Sequence, residues 1–363
     1  MSLTLLQIKN LRNIVSADID CSSQFNLFFG DNAAGKTSVL EAIYYLGTGK
    51  SFRTHQHDRV IHHAEEHLIL FARLYDIPIG FQRSRDGSAE IHLNAEKIHS
   101  AVEISRLLPI QFIGADSHRI LSDGPKSRRQ FIDWGLFHTN AQFYPCWKHF
   151  QKLLVQRNAA LKFRAPRDEL LIWNQAFALA GEALNKLRQT YLAEFSPFFK
   201  EIIAVLLDDI RITLEYSSGW DQNLSLETCL NQNVSRETLA GHSLYGPHRA
   251  DLRLLVDNFA AEDVLSQGQQ KLVSYALRLA QGLHLQSVSS KPLIYLIDDL
   301  PSELDQAKRS LVVKILSNLH AQVFITGIEA CDLQKILDLD RQNRMFHVKH
   351  GAVTECASQK CFT

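Results

Sequence analysis

The chain has 363 residues with 45% hydrophobic content, the composition of a globular protein long enough for two or three lobes. Lysine plus arginine equals aspartate plus glutamate, 39 each, so any nucleic-acid contact needs a local basic patch rather than a global charge. No apolar run approaches the ~20 residues of a membrane span, and no leader-like n- and h-region opens the chain. Cys21, Cys146, Cys229, Cys331, Cys356 and Cys361 are scattered without a C-x-x-C pair, so unpaired thiols in a reducing cytoplasm are expected.

Phe25, Leu27 and Phe29 alternate in the manner of a buried strand and lead into Gly30-Asp31-Asn32-Ala33-Ala34-Gly35-Lys36-Thr37. That run fits G-x-x-x-x-G-K-[ST], the loop that cradles the phosphates of ATP or GTP. The spacing predicts a helix from Lys36 to Leu46, with Val39, Leu40, Ile43 and Tyr44 on one face and a stop at Gly47. Glycine lets the loop backbone close around phosphate oxygens, and the N–H groups of loop and helix start point at the anion. Lys36 is then placed for the β- and γ-phosphates and the Thr37 hydroxyl for Mg²⁺, with Ser38 next on the helix. Gly47-Thr48-Gly49-Lys50-Ser51 ends like a second such loop. Tyr44 stands where its first glycine belongs, however, so these residues read as a helix exit. Lys50 and Arg53 just beyond face either a polyanion or solvent. His55, His57, His62, His63 and His67 crowd one short stretch. They lack a cysteine partner or regular ligand spacing and read as exposed polar residues rather than a zinc site.

Phe143, Trp147, Phe150, Leu154 and Leu161 recur at helical spacing. After a break at Ala165-Pro166, Leu170, Phe177, Leu184, Leu187 and Tyr191 mark a second helix. Ser196 before Pro197 predicts the start of a third, a cap residue followed by proline at the first helical position. Ile210, Ile212, Leu214 and Tyr216 then alternate as a strand. Helices this short predict a compact lobe rather than long coiled-coil arms. Basic residues gather nearby: Lys126, Arg128 and Arg129, then Arg157, Lys162, Arg164 and Arg167. Interleaved with Gln156 and Asn158, they suit DNA phosphates without base reading; a solvated helix face is the alternative.

Leu265-Ser266-Gln267-Gly268-Gln269-Gln270 opens a helix from about Gln269 to Leu285, with Leu272, Ala276, Leu279 and Leu283 along one side. Leu293 to Ile297 forms an apolar strand ending in Asp298-Asp299, the Walker B pattern. Ser302-Glu303-Leu304-Asp305 follows, and after a helix Gln322 to Thr326 makes another buried strand. Each element is a weak signal alone; their order and spacing make a strong one.

Together these elements resemble the ATP-binding cassette heads shared by SMC-type chromosome and repair proteins. Within that group the chain resembles the RecF family of bacterial recombination-repair proteins. The likeness is carried by Leu5 to Asn13 (LLQIKNLRN), Gly124 to Trp134 (GPKSRRQFIDW), Gln156 to Leu161 (QRNAAL) and Tyr245 to Asp251 (YGPHRAD). It extends over nearly the whole chain, to about Gly351.

The resemblance implies an α/β fold: an ABC-type P-loop ATPase head, with a mixed sheet and helices and an inserted, mainly helical second lobe. The implied bounds are 1–114 and 242–363 for the two parts of the ATPase lobe and 115–241 for the insert. It implies that Ser266, Gly268 and Gln269 meet the γ-phosphate held by a second head, so that two ATP molecules are sandwiched in a two-fold homodimer. Asp298 would hold Mg²⁺, and Asp299 would stand where most cassette ATPases carry glutamate as the base for water. A side chain one methylene shorter misplaces that base by about 1 Å, which suits a slow clamp or timer. Gln111 is read either as the glutamine joining Mg²⁺ to the water or as a buried strand-end amide. Arg12 and Asn13 either touch the nucleotide or form a turn after the first strand. Thr326 takes the place of a γ-phosphate-sensing histidine, and His248 and Arg249 belong either to a lobe junction or to a DNA surface.

By the same resemblance the protein is a weak, DNA-stimulated ATPase that closes on duplex DNA near single-strand gaps. It would load RecA with RecO and RecR in DNA repair, replication restart and the SOS response. The competing reading is a nucleotide-gated scaffold whose DNA contact is incidental.

Overall fold

The N-terminal segment folds as two antiparallel strands, β1 (Leu3–Leu11) and β2 (Ile14–Asp20), with Leu3, Leu6, Ile8, Leu11, Ile14 and Ile19 all buried. The computed structural model describes residues 2–334 and 343–356; Cys361 lies outside them. Next comes β3 (Phe25–Phe29), followed by α1 (Lys36–Thr48). Then follow β4 (His67–Leu74), β5 (Ile77–Ser84), β6 (Ala89–Leu93), β7 (Glu96–Ile98), α2 (Val102–Leu107) and β8 (Ile110–Ile113).

Phe25 through Phe28 are all buried, where the sequence suggested alternation. The reason is topological: β3 runs parallel between two neighbours and is covered on both faces, so its pattern becomes a continuous buried run that includes Asn26. Helix α1 continues through Gly47, the expected stop, and ends at Gly49, whose N–H donates to the Tyr45 carbonyl at 2.7 Å. Gly47 serves packing instead, since a Cβ there would lie 2.4 Å from Ile110 Cδ1.

Contacts divide the chain into two units: Met1–Ser117 with Ser289–Thr363, and His118–Val288. The second unit carries α3 (Gly124–Thr139), α4 (Phe143–Lys162), α5 (Arg167–Leu206), β9 (Ile212–Ser217) and α6 (Leu226–Ala240). It continues with β10 (Asp251–Val256), β11 (Phe259–Ala260), α7 (Ala261–Val264) and α8 (Gln267–Val288). The expected boundary at 241/242 therefore moves to 288/289. Helix α8 packs on α5, and Gln281 Nε2 donates to Phe131 O at 2.8 Å and to Tyr191 Oη at 3.0 Å.

Ser196-Pro197 starts no helix. Pro197 lies inside α5, a single helix of 40 residues, ~60 Å long. An internal proline costs about 3 kcal/mol. The buried side chains Phe195, Phe199, Ile202, Ile203 and Leu206 around it offset that cost, each contributing on the order of 1.5–3 kcal/mol.

The first unit resumes with β12 (Ile294–Ile297), α9 (Leu300–Glu303), α10 (Gln306–Asn318), β13 (Gln322–Gly327), α11 (Ala330–Gln334), β14 (Arg344–Lys349) and β15 (Ala352–Glu355). Its two six-stranded sheets run β2-β1-β4-β5-β6-β7, all antiparallel, and β15-β14-β3-β13-β12-β8, parallel except at β15. Phe28, Val39, Ile43, Leu46, Leu70, Phe81, Leu296, Phe324 and Phe346 belong to one core that draws on both sheets and α1. The parallel order sets the ends of β3, β12 and β13 side by side, which is what assembles the site.

Candidate nucleotide site

Between β3 and α1 the chain must turn sharply without a bulky side chain. Gly30 takes φ 146° and Gly35 φ 117°, a region that L side chains rarely adopt. A Cβ on Gly30 would lie 2.1 Å from the Val348 carbonyl oxygen. No side chain caps the start of α1, so its first N–H groups remain available to an anion. Asp31, Asn32 and Ala33 are exposed, and Ala34 is buried beneath them.

Two supports hold this loop. Asn13 Nδ2 donates to the carbonyls of Ala33 (3.3 Å) and Ala34 (3.0 Å), while its Oδ1 accepts from the Ser38 hydroxyl at 3.2 Å. From the other side the Gly351 N–H, in the β14–β15 turn, donates to Ala34 O at 2.8 Å. Asn13 thus braces the phosphate loop. Arg12, placed beside it by the same turn, ion-pairs through Nη2 with Glu41 Oε1 at 2.8 Å.

Glu41 is fully buried on α1 and also receives the Ser51 hydroxyl and, at 3.7 Å, Arg53 Nη1. Sequence reasoning missed this carboxylate. Its only signal was an acidic residue set among the apolar positions Val39, Leu40 and Ile43, and its partners come from two distant turns.

The Lys36 ammonium donates to the carbonyls of Gly30 (2.7 Å) and Asp31 (2.9 Å). Burial pushes its pKa down, against the opposing charges of Asp299, Asp298 and Asp31. At the C-terminal end of β12, Asp298 receives the Thr37 hydroxyl at 3.0 Å on Oδ1 and 3.1 Å on Oδ2. Thr326, fully buried near the end of β13, donates its hydroxyl to Asp298 Oδ1 at 2.7 Å and accepts the Asp299 N–H at 2.8 Å. Burial raises the Asp298 pKa, and the Thr326 and Thr37 hydroxyls oppose the shift. Asp299 has φ 54° and a buried Oδ1 with no hydrogen-bond partner among the described residues.

These groups line a cleft of about 830 Å³ together with Arg12, Asn13, Asn32, Arg53, His62, His63, Ala115 and Glu303. The residues fit a nucleotide with its metal. A hydroxyl and a carboxylate converge as hard oxygen donors, an ammonium lies beside the uncapped start of α1, and a buried Asp299 oxygen lacks a partner among the described residues. His62 and His63 sit at the cleft with rings 4.3 Å apart, whereas His57 is drawn away to Tyr45 Oη at 2.9 Å. Gln111 is buried within β8, opposite Tyr295 of β12, and does not line the cleft.

In the second unit Ser266 and Gln269 cap α8 reciprocally. Gln269 Oε1 accepts the Ser266 N–H at 2.9 Å, and the Ser266 hydroxyl oxygen accepts the Gln269 N–H at 3.3 Å. Ser266, Gln267 and Gly268 are exposed, and a Cβ on Gly268 would meet nothing within 4 Å. No contact among the described residues requires glycine there.

The basic residues separate into two kinds. Lys126, Lys162, Arg164 and Arg167 are exposed. Arg128 pairs with Asp251 through Nε at 2.8 Å and Nη2 at 3.0 Å, and Arg129 Nη1 donates to the Ala250 carbonyl at 2.7 Å. Arg157, expected on a DNA surface, is fully buried. It holds Glu237, Asn174 Oδ1 and the Ser243 hydroxyl. A side chain without exposed surface cannot reach a phosphate, so its role is internal. His248 is half-buried, with Nε2 on the Ser243 carbonyl at 3.0 Å and its pKa pushed down to about 4 by desolvation.

The mixed parallel sheet, the phosphate loop at the end of β3 and the carboxylate pair at the end of β12 define an ATPase head of the SMC type. The family model for the RecF/RecN/SMC N-terminal domain matches residues 2–354. The DNA replication and repair protein RecF of Shewanella oneidensis is 43% identical over 358 residues, covering 98% of this chain and 99% of that one. RecF of Coxiella burnetii is 42% identical over 352 residues, covering 96% and 98%. A solved structure of the recombination mediator RecF with ATP superposes with a TM-score of 0.86 at 25% identity, covering 98% of each chain. An Smc head bound to a domain of ScpA shares the fold at a TM-score of 0.61 and 15% identity. The chain belongs to the RecF family of DNA replication and repair proteins.

No helix among the described residues is long and apolar enough to cross a membrane.

Proposed function

We propose that this protein is an ATP-switched recombinational-repair ATPase. It binds ATP and Mg²⁺ on Gly30 to Ser38, pairs with a second copy through Ser266, Gly268 and Gln269, and engages duplex DNA near single-strand gaps. The observation that carries this reading is the convergence of Thr37 on Asp298 at 3.0 Å beside the uncapped start of α1. The bound metal would supply charge neutralisation at the β- and γ-phosphates. Lys36 leaves the Gly30 and Asp31 carbonyls for those phosphates, Thr37 and Asp298 hold the metal, and Asp299 takes the proton of the attacking water. Arg12 stays on Glu41 and shapes the cleft wall. Gln111, buried in β8, acts as a strand amide.

The exposed Gly268 supports the paired arrangement, because a glycine whose Cβ position is open among the described residues suits the close approach of a phosphate from another chain. RecO and RecR are the implied partners, and the solved RecF structure with ATP is assigned to the RecFOR pathway. The test is duplex affinity measured with ATP, ADP and no nucleotide. Tightening with ATP alone is expected; equal affinity in all three favours a scaffold whose DNA contact is incidental.

A further inference from the structure

One hydroxyl touches both carboxylate residues of the site. Parallel pairing sets Ile297 of β12 opposite Ile325 of β13, so Thr326 falls beside the point where β12 gives way to Asp298. There it donates to Asp298 Oδ1 and accepts the Asp299 N–H, at 2.7 and 2.8 Å. The second contact matters because Asp299 is a non-glycine residue at φ 54°. That conformation is sparsely populated and persists only where surrounding groups hold it. The first contact fixes the carboxylate on one side while the Thr37 hydroxyl approaches both of its oxygens, Oδ1 at 3.0 Å and Oδ2 at 3.1 Å. Nothing else described in the site binds the side chain of one aspartate and the backbone of the next.

We propose that Thr326 is the positioning residue of this site: its hydroxyl aims the Asp298 carboxylate at the metal position and fixes the turn that aims Asp299 at the γ-phosphate side. A hydroxyl without charge or a titrating proton thereby fills a position expected for a sensing histidine. The role is steric and directional, because Thr326 is fully buried and its described hydrogen bonds go to Asp298 and Asp299. The inference rests on the proposed ATPase reading.

Valine has nearly the threonine shape but cannot hydrogen-bond, which takes the described acceptor from the Asp299 N–H and leaves Asp298 Oδ1 to the Thr37 hydroxyl. Serine keeps the hydroxyl and loses only a methyl. Single-turnover hydrolysis and the Mg²⁺ dependence of binding a non-hydrolysable ATP analogue are measured for wild type, Thr326→Val and Thr326→Ser. The valine variant is expected to hydrolyse about ten- to a hundredfold more slowly, with KM within about threefold. It should also need severalfold more Mg²⁺ to reach half-maximal analogue binding. Serine is expected to stay within about threefold of wild type on both readouts. If the valine variant fails to fold, Thr326→Ala against Thr326→Ser carries the same comparison. Wild-type turnover and Mg²⁺ dependence in the valine or alanine variant overturn the positioning role. So does a serine variant that falls as far as valine, since that marks packing. Wild-type protein that neither binds nor hydrolyses ATP overturns the functional reading and the inference with it.

Discussion

The Thr37 hydroxyl lies 3.0 Å from Asp298 Oδ1, joining the start of α1 to the end of β12 across 261 positions of sequence. Parallel strands end at the same edge of their sheet, and ligand sites of open α/β sheets form at those ends. The chemistry therefore follows from strand order, and each residue can be tested for the part that the geometry gives it.

Lys36→Ala removes the ammonium now lying on the Gly30 and Asp31 carbonyls. A charge-assisted contact of this kind contributes roughly 1.5–3 kcal/mol. ATP affinity should fall at least about tenfold and ATP-driven dimerisation should vanish, while circular dichroism stays native. A variant that dimerises at the wild-type ATP concentration would remove Lys36 from the site.

Asp299→Asn preserves the shape but cannot take a proton from water. ATP should bind and persist uncleaved, and the dimer should outlast that of the wild type. Turnover within a few-fold of wild type moves the base to Asp298 or elsewhere.

Ser266→Arg should spare ATP binding by the monomer, since Ser266 is exposed and its hydroxyl serves only the cap of α8 among the described contacts. Loss of that cap costs about 1 kcal/mol, too little to unfold the unit. Dimerisation and hydrolysis should both fail. Collapse of monomer ATP affinity instead would refute a composite site.

Arg157→Ala strands Glu237 without its guanidinium in a fully buried pair, at a cost of about 3–5 kcal/mol. Chemical denaturation should show the loss, and a near-neutral result would contradict the internal role. Lys126→Ala with Arg164→Ala tests the exposed cations instead. In a dimer up to about four phosphate contacts disappear, each flattening the log–log salt dependence by ~0.9. Unchanged duplex affinity and slope would return both residues to solvent.

Most of the candidate site was legible in sequence because its chemistry is local: a G-x-x-x-x-G-K-T loop and a carboxylate pair are short runs at the ends of apolar strands. What stayed hidden depends on partners distant in sequence. Glu41 reads as a surface helix residue until Arg12 and Arg53 fold onto it. Gly351 looked like the start of an unmatched tail, yet its N–H supports Ala34. Arg157 and Lys126 look alike as letters, but only the packing of α4, α5 and α6 buries the first. Ser196-Pro197 carried a valid helix-start signal, and the buried aromatic side chains around it overrode the local preference.

Sedimentation velocity on the full chain, without nucleotide, with ADP and with ATP, each with and without a gapped duplex, tests the ATP switch most directly. A monomer without nucleotide and with ADP, a dimer with ATP, and co-sedimentation of the duplex with the ATP dimer alone are predicted. An oligomeric state and a DNA-bound fraction indifferent to the nucleotide would contradict it.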